Sequence, residues 1–298
     1  MNILVSGASG LVGRALIPSL TGQGHIIKTL VRHASTQSSE IEWNPLQKGP
    51  APDALQGIEA VIHLAGESIA SGRWTAARKR AILESRVTGT RLLSEAIARM
   101  TVLPKVVLSA SAIGYYGDRG HQLLQEGSAP GQGFLPDVCN AWEAASRPLS
   151  QKGIRVVHLR FGIVLSPEGG ALQKMLPPFR MGVAGRLGPG TQFMSWIALN
   201  DVVGAIHHAL SKESLEGPVN TVSPNAVTNA EFTETLGRVV QRPTAIPMPV
   251  FLAQLLFGEM ADALLLTSTR VEPAKLSATG YAFQFPDLEG ALRHLLKK

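Results

Sequence analysis

Near its start the chain passes from a short apolar run, Ile3-Leu4-Val5-Ser6, into Gly7-Ala8-Ser9-Gly10-Leu11-Val12-Gly13, and from there directly into a helix-patterned stretch. A strand, three glycines spaced by three and a helix make the turn with which a parallel α/β sheet receives a pyrophosphate. Gly7 permits the tight turn, Gly10 lets the backbone approach the anion, and Gly13 lets the helix pack close. The helix N-terminus adds unpaired amides and the positive end of its dipole. Ser9, Leu11 and Val12 belong to the same expected cradle.

The second strand reads Ile26 to Val31 and ends Leu30-Val31-Arg32-His33. A chain built for NAD places Asp or Glu there to hold the ribose hydroxyls. Here Val31 is followed by Arg32, whose planar fork of donors matches a phosphate. The expected cofactor is therefore NADP(H), with Arg32 on the 2′-phosphate.

Further strands are expected at Ile3 to Ser6, Ala60 to Leu64, Val106 to Ser109 and Val156 to Phe161. Helices are expected at Leu11 to Gln23, Thr75 to Met100 and Val138 to Lys152. Such alternation predicts an α/β fold, a Rossmann-like doubly wound parallel sheet with a smaller C-terminal substrate lobe. The cofactor domain is expected over 1–165, with 196–222 returning to it, and the smaller lobe over 166–298. Between Pro167 and Gly190 prolines and glycines crowd a stretch expected not to form one regular element. Asn200-Asp201 is expected to cap a helix through Leu210, Val219 to Val222 to return to the sheet, and Thr228 to Val240 to form another helix. The remainder from Pro243 reads as a compact helical tail with a short strand at Tyr281 to Phe285. Phe251 to Leu266, too short and too charged to span a bilayer, reads as a buried helical segment or a homodimer face.

Composition narrows the function. The 298 residues are 45% hydrophobic and 17% charged, which suits a globular chain with a large core. Net charge is +6, but the basic residues are scattered rather than run together, so neither nucleic acid nor membrane is an expected partner. A lone cysteine, Cys139, and the absence of a secretory-type leader point to the cytoplasm. No Cys or His cluster has metal-ligand spacing.

The glycine loop together with His63-Leu64-Ala65-Gly66-Glu67 resembles the extended short-chain dehydrogenase/reductase superfamily. Leu108-Ser109-Ala110-Ser111, Tyr115-Tyr116-Gly117, Pro177-Pro178-Phe179-Arg180, Trp196-Ile197 and Arg270-Val271-Glu272-Pro273 resemble one subgroup of it, the YfcH-like epimerase family of atypical members. This likeness covers essentially the whole chain, including a family-type tail at about 249–296. It implies that Leu64, Ala65 and Gly66 line the adenosine side of the cofactor and that Arg86 reaches it from the following helix. Ser109 is implied beside them, and Arg160, Gly162 and Val164 are implied to flank the nicotinamide. Glu67 stands open between a cofactor contact and a helix cap, and Arg160 between a cofactor contact and a structural ion pair.

Typical members carry a Tyr-x-x-x-Lys pair in which the lysine lowers the phenol's pKa from about 10. None of the three tyrosines here has that lysine. Aligned through Trp142-Glu143, the two positions fall on Leu135 and Cys139, and neither residue supplies that chemistry. Two catalytic candidates remain. Ser111 is expected either to hydrogen-bond a substrate carbonyl or to cap a strand end, and Tyr116 either to be a displaced proton donor or a packing residue. Arg180 and Arg186 are candidates for attracting an anionic substrate, or plain surface residues. The expected function is an NADP(H)-dependent oxidoreductase or epimerase-like enzyme on a small molecule; the alternative is an NADPH-binding sensor without turnover.

Overall fold

The computed structural model describes residues 1–297. Seven parallel strands form its central sheet: β1 (Asn2–Ser6), β2 (Ile26–Val31), β3 (Glu40–Glu42), β4 (Ala60–His63), β5 (Val106–Ala112), β6 (Arg155–Phe161) and β7 (Gly217–Thr221). Their order is β7-β6-β5-β4-β1-β2-β3. The chain thus builds outward from β1 to β3, then crosses back past β1 to continue with β4. Ligands of such sheets sit at this reversal, beyond the carboxyl ends of the strands. The glycine loop after β1 and the Leu64–Glu67 segment after β4 flank it directly.

Alternation of side chains covers both faces. Ile3 and Val5 of β1 face one core, shared with Leu16 and Leu20 of α1 (Leu11–Gly22) and with Val202, Ala205 and Ile206 of the helix Leu199–Ser211. Leu4 faces the other, with Leu93, Ala96 and Ile97 of α2 (Ala76–Ile97). Thr75 caps α2 by accepting the Arg78 amide. A third cluster lies among the helices Gly170–Arg180, Asn229–Val240 and Leu288–Leu296.

Several local expectations are corrected. The helix expected at Val138 to Lys152 is two: α3 (Phe134–Ala144) and a short Arg147–Gln151 helix with Pro148 in its first turn, where the missing amide costs nothing. The glycine- and proline-rich stretch contains a regular helix, Gly170–Arg180, with Pro177 and Pro178 confined to its last turn. Ala198 occupies the N-cap that Asn200-Asp201 was expected to provide. Asp201 is fully buried, and its carboxylate accepts the amides of Gln284 and Phe285 and the Tyr281 hydroxyl. Those two amides are thereby taken out of any ladder, and Tyr281 to Phe285 is not a strand. Phe251 to Leu266 is divided between a helix, Val250–Phe257, and one π turn, Ala261–Leu266, and is not wholly buried: Phe251, Leu255 and Leu256 are exposed. Among the described residues no helix is long and apolar enough to cross a membrane.

Candidate cofactor and active site

At Gly7 and Gly13 the glycine loop is held by backbone contacts that leave no room for a side chain. Gly7 has φ +75°, and a Cβ there would lie 2.7 Å from the Leu64 carbonyl carbon; at Gly13 it would lie 2.4 Å from the Gly7 oxygen. Gly10 caps α1 with no side-chain hydrogen bond, and the first turn of α1 carries no acidic residue. The amides of Leu11, Val12 and Gly13 are thus the free donors a pyrophosphate needs.

Beneath the loop runs a buried chain of hydrogen bonds. Ser6 Oγ accepts the amides of Leu64 and Ala65 at 3.2 and 3.3 Å and is hydrogen-bonded to His63 Nδ1 at 2.6 Å. His63 Nε2 is in turn hydrogen-bonded to Thr90 Oγ1 at 3.0 Å, which also accepts from Trp142 Nε1 at 2.9 Å. These residues lock the Leu64–Ala65 backbone against β1. Burial lowers the His63 pKa to about 4, so the imidazole is neutral in the folded chain, while unfolded it takes a proton near 6.5. The unfolded state therefore binds more protons between those values, and stability falls as pH drops through that window. The slope contributed is about 1.4 kcal/mol per pH unit. Urea midpoints between pH 7 and 5 should decline less steeply for His63→Gln than for the unaltered protein; parallel declines would contradict this.

Arg32 stands exposed at the end of β2 and, among the described residues, makes no ion pair. Val31 is half-buried beside it. Arg86 reaches from α2 to the Leu64–Glu67 segment: its Nη1 donates to the Glu67 carbonyl at 2.9 Å, and its guanidinium lies over Trp142 and against Gly66. Of the two readings of Glu67, the helix cap fails because Thr75 fills that place; the carboxylate pairs with Arg78 at 3.1 Å instead. Gly162 fits between the Ser195 carbonyl and Val222, and Val164 lies half-buried on the strand Ile163–Ser166. Ser109 and Ser111, both 2% exposed, lie two residues apart on the same face of β5.

The most consequential arrangement was not visible in the sequence. Arg160, 2% exposed, makes a bidentate pair with Glu143 of α3, Nε to Oε1 and Nη2 to Oε2, both at 2.8 Å. Its Nη1 donates to the Tyr116 hydroxyl at 2.9 Å and to the Glu126 carbonyl. Tyr116 donates in turn to Asn220 Oδ1 at 2.6 Å, and Ser111 donates to Glu143 Oε1 at 2.6 Å. Arg160 is thus a structural ion-pair partner rather than a nicotinamide contact. Burial would lower its pKa, but the hydrogen bonds and charge of Glu143 outweigh this and raise it. Burial likewise pushes Glu143 up, yet Arg160 and Ser111 hold it below the usual carboxylate range.

Tyr116 is corrected as a proton donor. Its side chain is fully buried, its one proton is committed to Asn220, and burial raises its pKa despite Arg160. At the positions of the absent Tyr and Lys, Leu135 and Cys139 both lie against Gly114. Leu135 joins an apolar cluster of Trp74, Phe134, Val138, Phe257 and Met260. Burial pushes the Cys139 thiol up to about 12, with help from the Glu143 charge, so it is no nucleophile near neutrality.

Residues 3–222 match the model of the NAD dependent epimerase/dehydratase family. The chain belongs to that family. Residues 248–295 match a second model, a domain of unknown function (DUF1731). An epimerase family protein of Mycobacterium bovis is 42% identical over 97% of this chain and 96% of its own length. Human epimerase family protein SDR39U1, solved with NADPH, superposes with a TM-score of 0.92 at 35% identity over the whole of both chains. A nucleoside-diphosphate sugar epimerase of Corynebacterium glutamicum gives 0.82 at 36% identity over 99% of this chain, which spans 58% of that protein's length. The YfcH-like likeness read from the motifs therefore holds, and so does the Rossmann-like fold. Glu143 and Asn220 are the members of this network that the sequence did not single out. The available signal was Arg160 itself, a charge inside the buried run Val156 to Phe161, which requires a partner.

Proposed function

We propose that this chain binds NADP(H), with the pyrophosphate on the Gly7–Gly13 loop and the 2′-phosphate on Arg32, and that it is an atypical short-chain dehydrogenase/reductase acting on a small molecule. The observation that carries this reading is the pairing of an uncapped α1 N-terminus with an unpaired, exposed Arg32 where an NAD-binding chain needs a carboxylate. The NADPH-bound structure of the human relative supports it. Ser9 and Leu64 to Glu67 would line the adenosine side, with Arg86 fixing the Glu67 carbonyl; Gly162 and Val164 would border the nicotinamide.

When bound, the cofactor supplies or takes up a hydride. The chain's own part is to orient the reacting group at Ser111 and to exclude water with the apolar wall around Leu135. With Tyr116 sealed off, that phenol supplies no proton, and we assign any proton needed at neutral pH to water or substrate. That same gap favours a second reading, an NADPH-binding sensor without turnover. Incubating the protein with NADPH and a carbonyl panel separates them: slow cofactor oxidation marks the enzyme, and tight binding with no oxidation by any acceptor marks the sensor.

Arg32→Ala should lose most of the preference for NADPH over NADH, at least about tenfold or 1.4 kcal/mol, by removing a charge-assisted phosphate contact. NADH affinity should hardly change. Equal loss for both cofactors in calorimetry would place Arg32 elsewhere than on the 2′-phosphate.

A further inference from the structure

The buried pair behind β5 fixes which way the Ser111 proton points. Glu143 Oε1 receives both Ser111 Oγ, at 2.6 Å, and Arg160 Nε; Oε2 receives Arg160 Nη2. A carboxylate held by both donors of a guanidinium fork is ionised and has no proton to offer, so in the Ser111–Glu143 bond the serine is the donor. A hydroxyl has one proton. Spent on Glu143, it leaves Ser111 only lone pairs for anything else.

We propose that Glu143 is a positioning residue that turns the Ser111 proton inward and presents an acceptor at the end of β5, so that the molecule docked on Ser111 binds through a hydroxyl or amine hydrogen rather than a carbonyl oxygen. A carbonyl there would set two acceptors face to face. This rests on the cofactor reading above for the location of the site, and it reverses the expectation that Ser111 hydrogen-bonds a substrate carbonyl. Beyond Ser111, Gly114 carries Leu135 and Cys139 against it, and Leu135 leads into the cluster of Trp74, Phe134 and Phe257. The chemistry recognised is therefore a hydroxyl on an apolar frame, the alcohol side of an alcohol/carbonyl couple. The nicotinamide carboxamide of the cofactor is the other N–H donor of matching chemistry.

Joint X-ray and neutron diffraction on deuterium-exchanged crystals decides the matter, with NADPH alone and with cyclohexanol or cyclohexanone added. The deuterium of Ser111 should lie on the line to Glu143 Oε1, and any ligand atom on Ser111 Oγ should be a donor. A carboxamide nitrogen there identifies the cofactor as the source, and the cyclohexanol oxygen identifies the substrate. Glu143→Leu with Arg160→Met, which removes the acceptor without stranding the charge, should free the deuterium to turn outward; if that variant does not fold, the position in the unaltered protein still decides. A Ser111 deuterium pointing into the cleft with Glu143 in place, or a cyclohexanone oxygen bonded to Ser111, overturns the proposal. Failure of the cofactor reading looks different: calorimetry shows no NADPH binding, while the deuterium position can still be read in unliganded crystals.

Discussion

Gly10→Val is expected to raise the Kd for NADPH at least about a hundredfold, some 2.7 kcal/mol, while leaving the thermal unfolding midpoint nearly unchanged. The two effects separate because of where the new atoms go. Gly10 has an ordinary extended conformation, φ −74° and ψ 171°, which valine adopts without strain. Its Cβ would lie 3.2 Å from the Gly7 oxygen, a contact relieved by a shift of a few tenths of an ångström. The branched methyls then stand over the free amides of α1, in the path of the pyrophosphate. Gly13 is the contrast: a Cβ at 2.4 Å from the Gly7 oxygen displaces backbone, so Gly13→Ala should lose stability and binding together. Unchanged NADPH affinity in the Gly10 variant, measured by calorimetry beside a melting curve, would remove the loop from the site.

The second large effect concerns stability. Glu143→Ala leaves the Arg160 guanidinium buried over the Tyr115 ring with the Tyr116 hydroxyl and the Glu126 carbonyl as its remaining hydrogen-bond acceptors, and removes the acceptor of Ser111. Breaking a buried pair from one side costs about 3–5 kcal/mol, because the remaining charge stays desolvated. Replacing both partners, Glu143→Leu with Arg160→Met, should recover much of that loss, since apolar groups need no partner. Urea denaturation measures both. A Glu143→Ala loss below about 1 kcal/mol, the scale of an ordinary surface change, would mean that the pair is not formed in solution.

What the sequence revealed follows the range of the interactions. The loop, α1 and β2 were legible because each is specified by neighbours: glycines at fixed offsets, an apolar stripe, a β-branched run that stops at Arg32. The short β3 was not, since three residues with only Ile41 buried carry no alternation to read. Nor was the helix Gly170–Arg180, whose prolines signal a break yet fall only in the final turn. The buried network of Ser111, Glu143, Arg160 and Tyr116 was least legible. Ser111 faces Arg160 through the register of β5 on β6, and Glu143 arrives from α3. Sequence alone shows a serine, a tyrosine and an arginine as separate candidates. Only their packing shows that Glu143 joins them, that Tyr116 is closed off and that Ser111 has no proton to spare.

Isothermal titration of the unaltered protein with NADPH and with NADH, in the same buffer at one salt concentration, decides which cofactor the β2 end selects. An exposed arginine that makes no ion pair at the end of β2 should give NADPH at least about tenfold tighter binding. Equal affinities for the two cofactors, or tighter binding of NADH, would contradict the account.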